Sequence, residues 1–134
     1  MNIRKLTESD YEVLVDWWNA WPEWSAPPRE LLPENGSGGL IVEKDNVKVA
    51  ACYIYETNSK TAWIEWIVSN PDYKEEDRGL LIEAMLKSAE KVCINMGNLF
   101  ILSVGRNKSL MKKHKKLGWL VDDKPVYEMM KSLI

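Results

Sequence analysis

The sequence predicts one α/β domain, built as a mixed, mostly antiparallel central sheet flanked by helices. Three observations carry this expectation. Apolar runs at residues 40–43, 47–56 and 62–68 follow one another with turn residues between them, as successive antiparallel strands do. A long amphipathic stretch comes next, with Leu81, Met85, Ala89, Val92 and Met96 on one helical stripe. The length, 134 residues, suits one domain with a real hydrophobic core, so residues 1–134 are read as a single domain.

Residues 1–5 read as a short first strand. Thr7-Glu8-Ser9-Asp10 resembles a capping box with Asp in the usual Glu place. Tyr11, Leu14, Val15 and Trp18 then recur at helical spacing, which predicts a helix over 8–20 that Pro22 stops. The stretch from 21 to 39 is rich in Pro and Gly, with a short helix near 29–32. It is the one long irregular segment, and long ordered loops in small domains are often binding loops. Asp45-Asn46 marks a hairpin turn, Asn58-Ser59 a second tight connection, and Asn70-Pro71 the end of the third strand of that series. A helix is expected over 75–96, stopped by Gly97. A strand over 99–104, a helix over 106–116 stopped by Gly118, and short strands at Val121 and over 126–131, turned at Asp122-Asp123, complete the order.

Composition narrows the function. Net charge is −2, which favours neither nucleic acid nor an anionic membrane. No segment approaches the roughly 18 apolar residues that cross a bilayer. Cys52 and Cys93 both lie in apolar runs, as buried thiols of a reducing compartment, so a cytoplasmic location is expected. No His/Cys cluster has metal-ligand spacing, and none of the P-loop or nucleophile-elbow patterns occurs. Arg106, Lys108, Lys112, Lys113, Lys115 and Lys116 make one helix strongly basic. A phosphate-binding face is one reading and a solvated face that balances acidic neighbours is the preferred one, and no interleaved aromatic residues mark it for base stacking. Seven residues are Trp and one is Phe, and Trp17, Trp18, Trp21 and Trp24 crowd one stretch. Periodicity assigns Trp18 to the core. Trp21 and Trp24 are pocket candidates, with a dimer contact as the alternative.

Three segments, in this order and spacing, resemble the GNAT superfamily of N-acetyltransferases. They are the strand and turn from Ala62-Trp63-Ile64-Glu65-Trp66-Ile67-Val68 to Ser69-Asn70-Pro71-Asp72-Tyr73-Lys74, the long helix after it, and Asn107 through Leu117-Gly118-Trp119. The resemblance implies a GNAT-like (acyl-CoA N-acyltransferase) fold and transfer of an acetyl group from acetyl-CoA directly to a primary amine on a small molecule or peptide. It implies that backbone groups of Ile67, Val68 and Ser69 face the pantetheine arm, and that the turn from Lys74 through Asp77 and Arg78 to Gly79 holds the pyrophosphate. Asp77 stands where the family's turn has its middle Gly, and Glu75, Glu76 and Asp77 bring three carboxylates there. Asn107 matches a family Asn that contacts the cofactor arm; it also stands where a helix N-cap is expected, the favoured reading, and the two roles are compatible. Homodimers occur among related folds.

Strand alternation places Trp63, Glu65 and Ile67 on one face and Ile64, Trp66 and Val68 on the other. Glu65 is the candidate general base, and Trp63 joins Trp21 and Trp24 as an acceptor-pocket residue. A carboxylate paired with a nearby Lys is the competing reading. His114, the one histidine, shares a helix face with Leu110 and Leu117; the resemblance places it where the family usually has a Tyr that protonates the leaving thiolate, which makes it the candidate acid. A satisfied interior histidine is the competing reading. The other function class is a non-catalytic GNAT-like module that uses the Trp-lined cleft to bind a ligand or protein.

Overall fold

The computed structural model describes every residue except Glu23, Arg106, Asp123 and Pro125. The expected helix position at 106 and the second turn residue at 123 therefore lie outside the described residues. The chain divides into two compact units, Met1–Val104 and Gly105–Ile134.

The first unit is a sheet between two helices. Its elements are β1 (Asn2–Lys5), α1 (Asp10–Ala20), two short 3-10 turns (Arg29–Leu31 and Pro33–Gly36), β2 (Gly39–Lys44), β3 (Val47–Glu56), β4 (Thr61–Ser69), α2 (Arg78–Asn95) and β5 (Phe100–Leu102). The strands lie in the order β1-β2-β3-β4-β5. The first three pairings are antiparallel, and β4 pairs with β5 in parallel through the α2 crossover. The mixed, mostly antiparallel sheet is as the sequence predicts.

Local chemistry sets these elements. Asp45 and Asn46 both adopt positive φ, 51° and 65°, which a two-residue hairpin turn of the matching twist requires. At the start of α1 the Asp10 carboxylate reaches back to the Thr7 N–H at 2.8 Å, the reciprocal half of a capping box. The Thr7 hydroxyl donates to Asp10 Oδ2 at 3.0 Å and caps nothing, so the helix begins at Asp10 and not at residue 8. The end of α2 is closed by Gly97 at φ 89°, with the Asn98 N–H on the Cys93 carbonyl at 3.1 Å and the Gly97 N–H on Ile94 at 2.9 Å.

The core has two faces. On one, Leu14, Trp17 and Trp18 of α1 pack with Leu6, Leu32, Ile41, Ala51, Tyr53 and Val68. Val42, Ala50, Cys52, Ile54 and Ile64 alternate to the other face, where α2 buries Leu81, Ile82, Met85, Leu86, Ala89 and Cys93. Each large apolar side chain so buried contributes about 1.5–3 kcal/mol.

The second unit contains α3 (Lys108–Lys116). Asn107 caps it, accepting from the Leu110 N–H at 2.7 Å. Gly118, at φ 93°, lets the chain turn back: its N–H meets the Lys115 carbonyl and the Trp119 N–H meets His114, both at 3.0 Å. Leu117-Gly118-Trp119 is thus a helix stop in which the aromatic residue folds onto the last turn.

Three expectations are corrected. α2 starts at Arg78 and not at residue 75, which leaves Glu75 and Glu76 outside the helix and Asp77 at its N-cap. β5 spans only Phe100–Leu102, not 99–104. No strand follows α3 among the described residues, so Val121 and residues 126–131 do not form the expected strands. Extended backbone without a ladder partner gains no inter-strand hydrogen bonds.

Candidate functional site

The middle of β4 is irregular. Tyr53 pairs with Glu65 and Ala51 pairs with Val68, so β4 spends one residue more than β3 over this step. That is a β-bulge, and Trp66 sits in it at φ 55°. A left-handed backbone costs a β-branched or bulky residue of order 1 kcal/mol, so the surroundings must hold it. They do: Trp66 Nε1 donates to Tyr55 Oη at 3.0 Å, and its ring meets Trp18 at 6.1 Å and Trp24 at 6.3 Å.

The bulge changes which side chains share a face. Trp66 and Val68 pack against the α1 core. Glu65 is cross-strand to Tyr53 and Trp63 to Tyr55, so both point to this face as well. The expected division, with Trp66 and Val68 opposite Glu65, is therefore corrected. An extra residue resets the two-residue period, which brings Trp66 beside Glu65 and moves Ile67 across.

The result is a partly exposed aromatic wall around a carboxylate. Trp63, Glu65 and Trp66 are half-buried on β4, and Tyr55 flanks them from β3. Trp21 and Trp24 come in from the irregular segment, both partly buried against the same core. Trp21 Nε1 donates to the Ser69 carbonyl at 3.2 Å, which pins that segment to the end of β4. Tyr55 Oη donates to the Leu31 carbonyl at 2.9 Å. Burial raises the Tyr55 pKa, the Trp66 hydrogen bond opposes this, and the Glu65 charge adds to it. Tyr55 therefore stays a neutral phenol at physiological pH. Sequence reading missed Tyr55 and Trp66. The available signal for Tyr55 was its place two residues after Tyr53, on the same face of β3.

Pairing between β4 and β5 covers only Thr61↔Phe100, Ala62↔Ile101 and Trp63↔Leu102. β5 ends at Leu102, so among the described residues β4 has no strand partner on that side beyond Trp63, two residues before the bulge step that starts at Glu65. Ile67, Val68 and Ser69 lie in this part of β4. The Val68 side chain is buried in the α1 core, so backbone groups are what this stretch offers. Past it, Asn70 ties the turn down, with Nδ2 on the Lys48 carbonyl and Oδ1 accepting from the Asp72 N–H, both at 2.9 Å.

The turn then reaches α2. Lys74, Glu75 and Glu76 are exposed, and Asp77, Arg78 and Gly79 are half-buried. The Asp77 side chain makes no capping bond to α2. It pairs with Lys44 at the end of β2 and accepts from Tyr73 Oη at 2.7 Å. Lys44 first, then Tyr73, hold its carboxyl below the usual value. Lys44, Asp45, Val47, Tyr73, Glu75, Glu76 and Asp77 line an open cavity on this surface.

In the second unit His114 is buried, 6% exposed. Its Nδ1 lies 2.8 Å from the Leu110 carbonyl. A carbonyl only accepts, so Nδ1 carries the proton. Nε2 is buried without a hydrogen-bond partner, and the Trp119 ring stands edge-on at 4.7 Å. Asn107 serves as the cap described above. Lys113, Lys115 and Lys116 in the last turn complement the helix dipole, which accounts for part of the basic run without a ligand. Glu65 belongs to the first unit and His114 to the second.

Among the described residues, no group of His, Cys, Asp and Glu is arranged to hold a metal ion, and no helix is long and apolar enough to cross a membrane.

No protein-family model matches the chain. No curated protein sequence matches it. Solved structures do. A probable acetyltransferase superposes with a TM-score of 0.70 at 15% identity, covering 98% of this chain and 99% of that one. A Trypanosoma brucei acetyltransferase gives 0.63 at 18% identity, covering 96% and 99%. N-acetylglutamate synthase from Neisseria gonorrhoeae, solved with coenzyme A and N-acetyl-glutamate, gives 0.68 at 14% identity, covering 85% of this chain and 27% of that one. At such identities the likeness is one of fold. The fold is the GNAT-like, acyl-CoA N-acyltransferase fold, as the sequence motifs imply.

Proposed function

We propose that this chain is a cytoplasmic N-acetyltransferase that moves an acetyl group from acetyl-CoA directly to a primary amine. The observation that carries the reading is the end of β4–β5 pairing at Trp63↔Leu102, followed along β4 by a bulge that turns Glu65 and Trp66 to one face. Beyond that pair the β4 edge would offer backbone N–H and C=O groups to an extended amide-bearing chain such as pantetheine.

The residues fit such a donor at both ends. Ile67, Val68 and Ser69 offer backbone groups along the arm. At the start of α2 no side chain caps the helix, so the amides of Gly79 and Leu80 are open to an anion. Lys74 and Arg78 add positive charge, and the Asp77 carboxylate is countered by Lys44. Bound acetyl-CoA would supply an activated thioester.

The chain's own groups would do the rest. Trp21, Trp24, Trp63 and Trp66 suit an ammonium and its apolar body, because aromatic faces attract cations. Glu65 would take the ammonium proton, directly or through one water, to leave a nucleophilic amine. His114 would deliver a proton to the leaving sulfur from Nε2. With Nδ1–H held by Leu110, that delivery requires the imidazolium form.

A thermal-shift titration tests the first requirement. At about 100 times Kd, acetyl-CoA should add about 2.7 kcal/mol of stability. No shift at millimolar acetyl-CoA refutes the reading. The exposed carboxylates of Glu75 and Glu76 favour the second reading, a non-catalytic module. That module would use the Trp-lined cleft for a ligand or protein partner, and absence of any acetyl-CoA shift would support it.

A further inference from the structure

Asp77 stands at the N-cap of α2, where an Asp side chain ordinarily accepts from an amide two or three residues onward. Here it makes no such bond. Its Oδ2 is taken by Lys44 Nζ from the end of β2, and its Oδ1 accepts from Tyr73 Oη at 2.7 Å. Tyr73 is itself anchored, with its ring buried and its carbonyl accepting from Arg78 Nη1 at 3.4 Å. Nearby backbone bonds leave a defined gap. The Arg78 N–H goes to the Glu75 carbonyl at 3.2 Å, and the Leu81 N–H goes to the Asp77 carbonyl at 3.0 Å. Gly79 and Leu80 lie between them, at helix positions whose amides have no intrahelical acceptor.

We propose that Lys44 and Tyr73 clamp the Asp77 carboxylate away from the start of α2, so that the Gly79 and Leu80 amides stay available to the diphosphate of the acyl donor. The proposal rests on the acetyl-CoA reading above. Lys44, Tyr73 and Asp77 are positioning residues. A capping carboxylate and a bound diphosphate need the same amides, and both are anions, so one excludes the other. The clamp removes this competitor in two ways. It fixes both oxygens elsewhere, and it sets the Lys44 ammonium against the charge. An acidic residue can then occupy a place where the related turn has a glycine. Without Lys44, one oxygen is released and a short rotation returns the side chain to its ordinary cap.

Two measurements on Lys44→Met, Lys44→Arg, Tyr73→Phe and the double variant Lys44→Met/Asp77→Gly test this. The first is amide hydrogen exchange by NMR in the chain without ligand. Lys44→Met should slow exchange at Gly79 or Leu80 about tenfold, the protection a cap of ordinary strength provides. The second compares acetyl-CoA with acetyl-pantetheine, which lacks the diphosphate. Lys44→Met should weaken acetyl-CoA binding about tenfold and leave kcat/KM with acetyl-pantetheine unchanged. Tyr73→Phe should shift both readouts the same way by less. Lys44→Arg should behave as wild type, and removal of the carboxylate in Lys44→Met/Asp77→Gly should restore affinity. A merely structural role for Lys44 would lower both donors together and would not be rescued by Asp77→Gly. Unchanged amide exchange in Lys44→Met overturns the clamp whatever the donor. Wild-type chain that fails to bind acetyl-CoA, with the exchange change present, overturns the assigned donor and leaves the clamp standing as a property of the helix end.

Discussion

Asp10 is a heavily bonded, buried carboxylate of the first unit, and its replacement gives a calculable loss. It is 1% exposed. Arg4 meets it with two nitrogens at 2.8 and 3.0 Å, Lys48 at 2.9 Å, and the Thr7 N–H and hydroxyl at 2.8 and 3.0 Å. Together these join β1, β3 and the start of α1. Asp10→Asn keeps the shape, removes the charge, and turns an amide donor toward Arg4 and Lys48, which only donate. Breaking a buried ion pair costs about 3–5 kcal/mol. The lower end applies, because Arg4 and Lys48 are 30% and 33% exposed and can turn to water, and Arg4 keeps Glu43 at 2.7 Å. A loss of about 3 kcal/mol corresponds to roughly 10 °C in Tm for a chain of this size. Urea unfolding followed by Trp fluorescence at pH 7 measures it. The pH dependence has a fixed sign. Burial alone would raise the Asp10 pKa, but the bonds from Arg4, Thr7 and Lys48 outweigh it and hold the carboxyl well below the usual range. The native state therefore holds a carboxylate that the unfolded chain protonates near pH 3.9, and the stability it contributes is present above that value and lost as pH falls toward the native pKa. The gap between wild type and Asp10→Asn should be constant from pH 6 to 8 and shrink below about pH 4. A loss under about 1 kcal/mol, or a gap that holds steady down to pH 3, would refute the reasoning.

Other outcomes follow from the site. Glu65→Gln should lower kcat for acetyl transfer by about 10²-fold or more with acetyl-CoA affinity nearly unchanged, and equal rates in steady-state assays would remove Glu65 from the mechanism. His114→Phe should also slow transfer and leave acetyl-CoA affinity nearly intact, and an unchanged rate would leave His114 with its structural role against Trp119. Asn107→Ala removes the cap of α3 and should lower its helicity, at a cost of about 1 kcal/mol read by circular dichroism and amide exchange. Burial pushes the Cys52 thiol up to about 12 and Cys93 upward as well, so a thiol reagent should react with neither in the native chain and with both after denaturation. Rapid native labelling would contradict the packing of β3 against α2.

What could be read from the sequence was what short stretches decide for themselves. Asp45-Asn46 makes its hairpin because those two residues tolerate positive φ. Asn107 caps because its side chain reaches Leu110 three residues on, and Gly97 and Gly118 end helices because no Cβ opposes the turn. The succession of antiparallel strands, and the choice of Glu65, Trp21 and Trp24 as candidates, rest on such local signals. The features that shape the site are of another kind. The bulge at Trp66 exists because β3 fixes Tyr53 against Glu65 and Ala51 against Val68, while Trp18 and Trp24 hold the displaced ring. Simple alternation within β4 contains none of this, so it sent Trp66 to the wrong face. Asp77 likewise looks from its neighbours like an ordinary first-turn acid that strengthens the helix it precedes. Its carboxylate is instead claimed by Lys44, 33 residues earlier, and that distant partner changes its meaning from a cap to a clamped charge. The strands expected after α3 failed for the same reason in reverse. Val126, Tyr127, Met129 and Met130 have the composition of a strand, but a strand is a relation between two segments, and no ladder pairs them among the described residues.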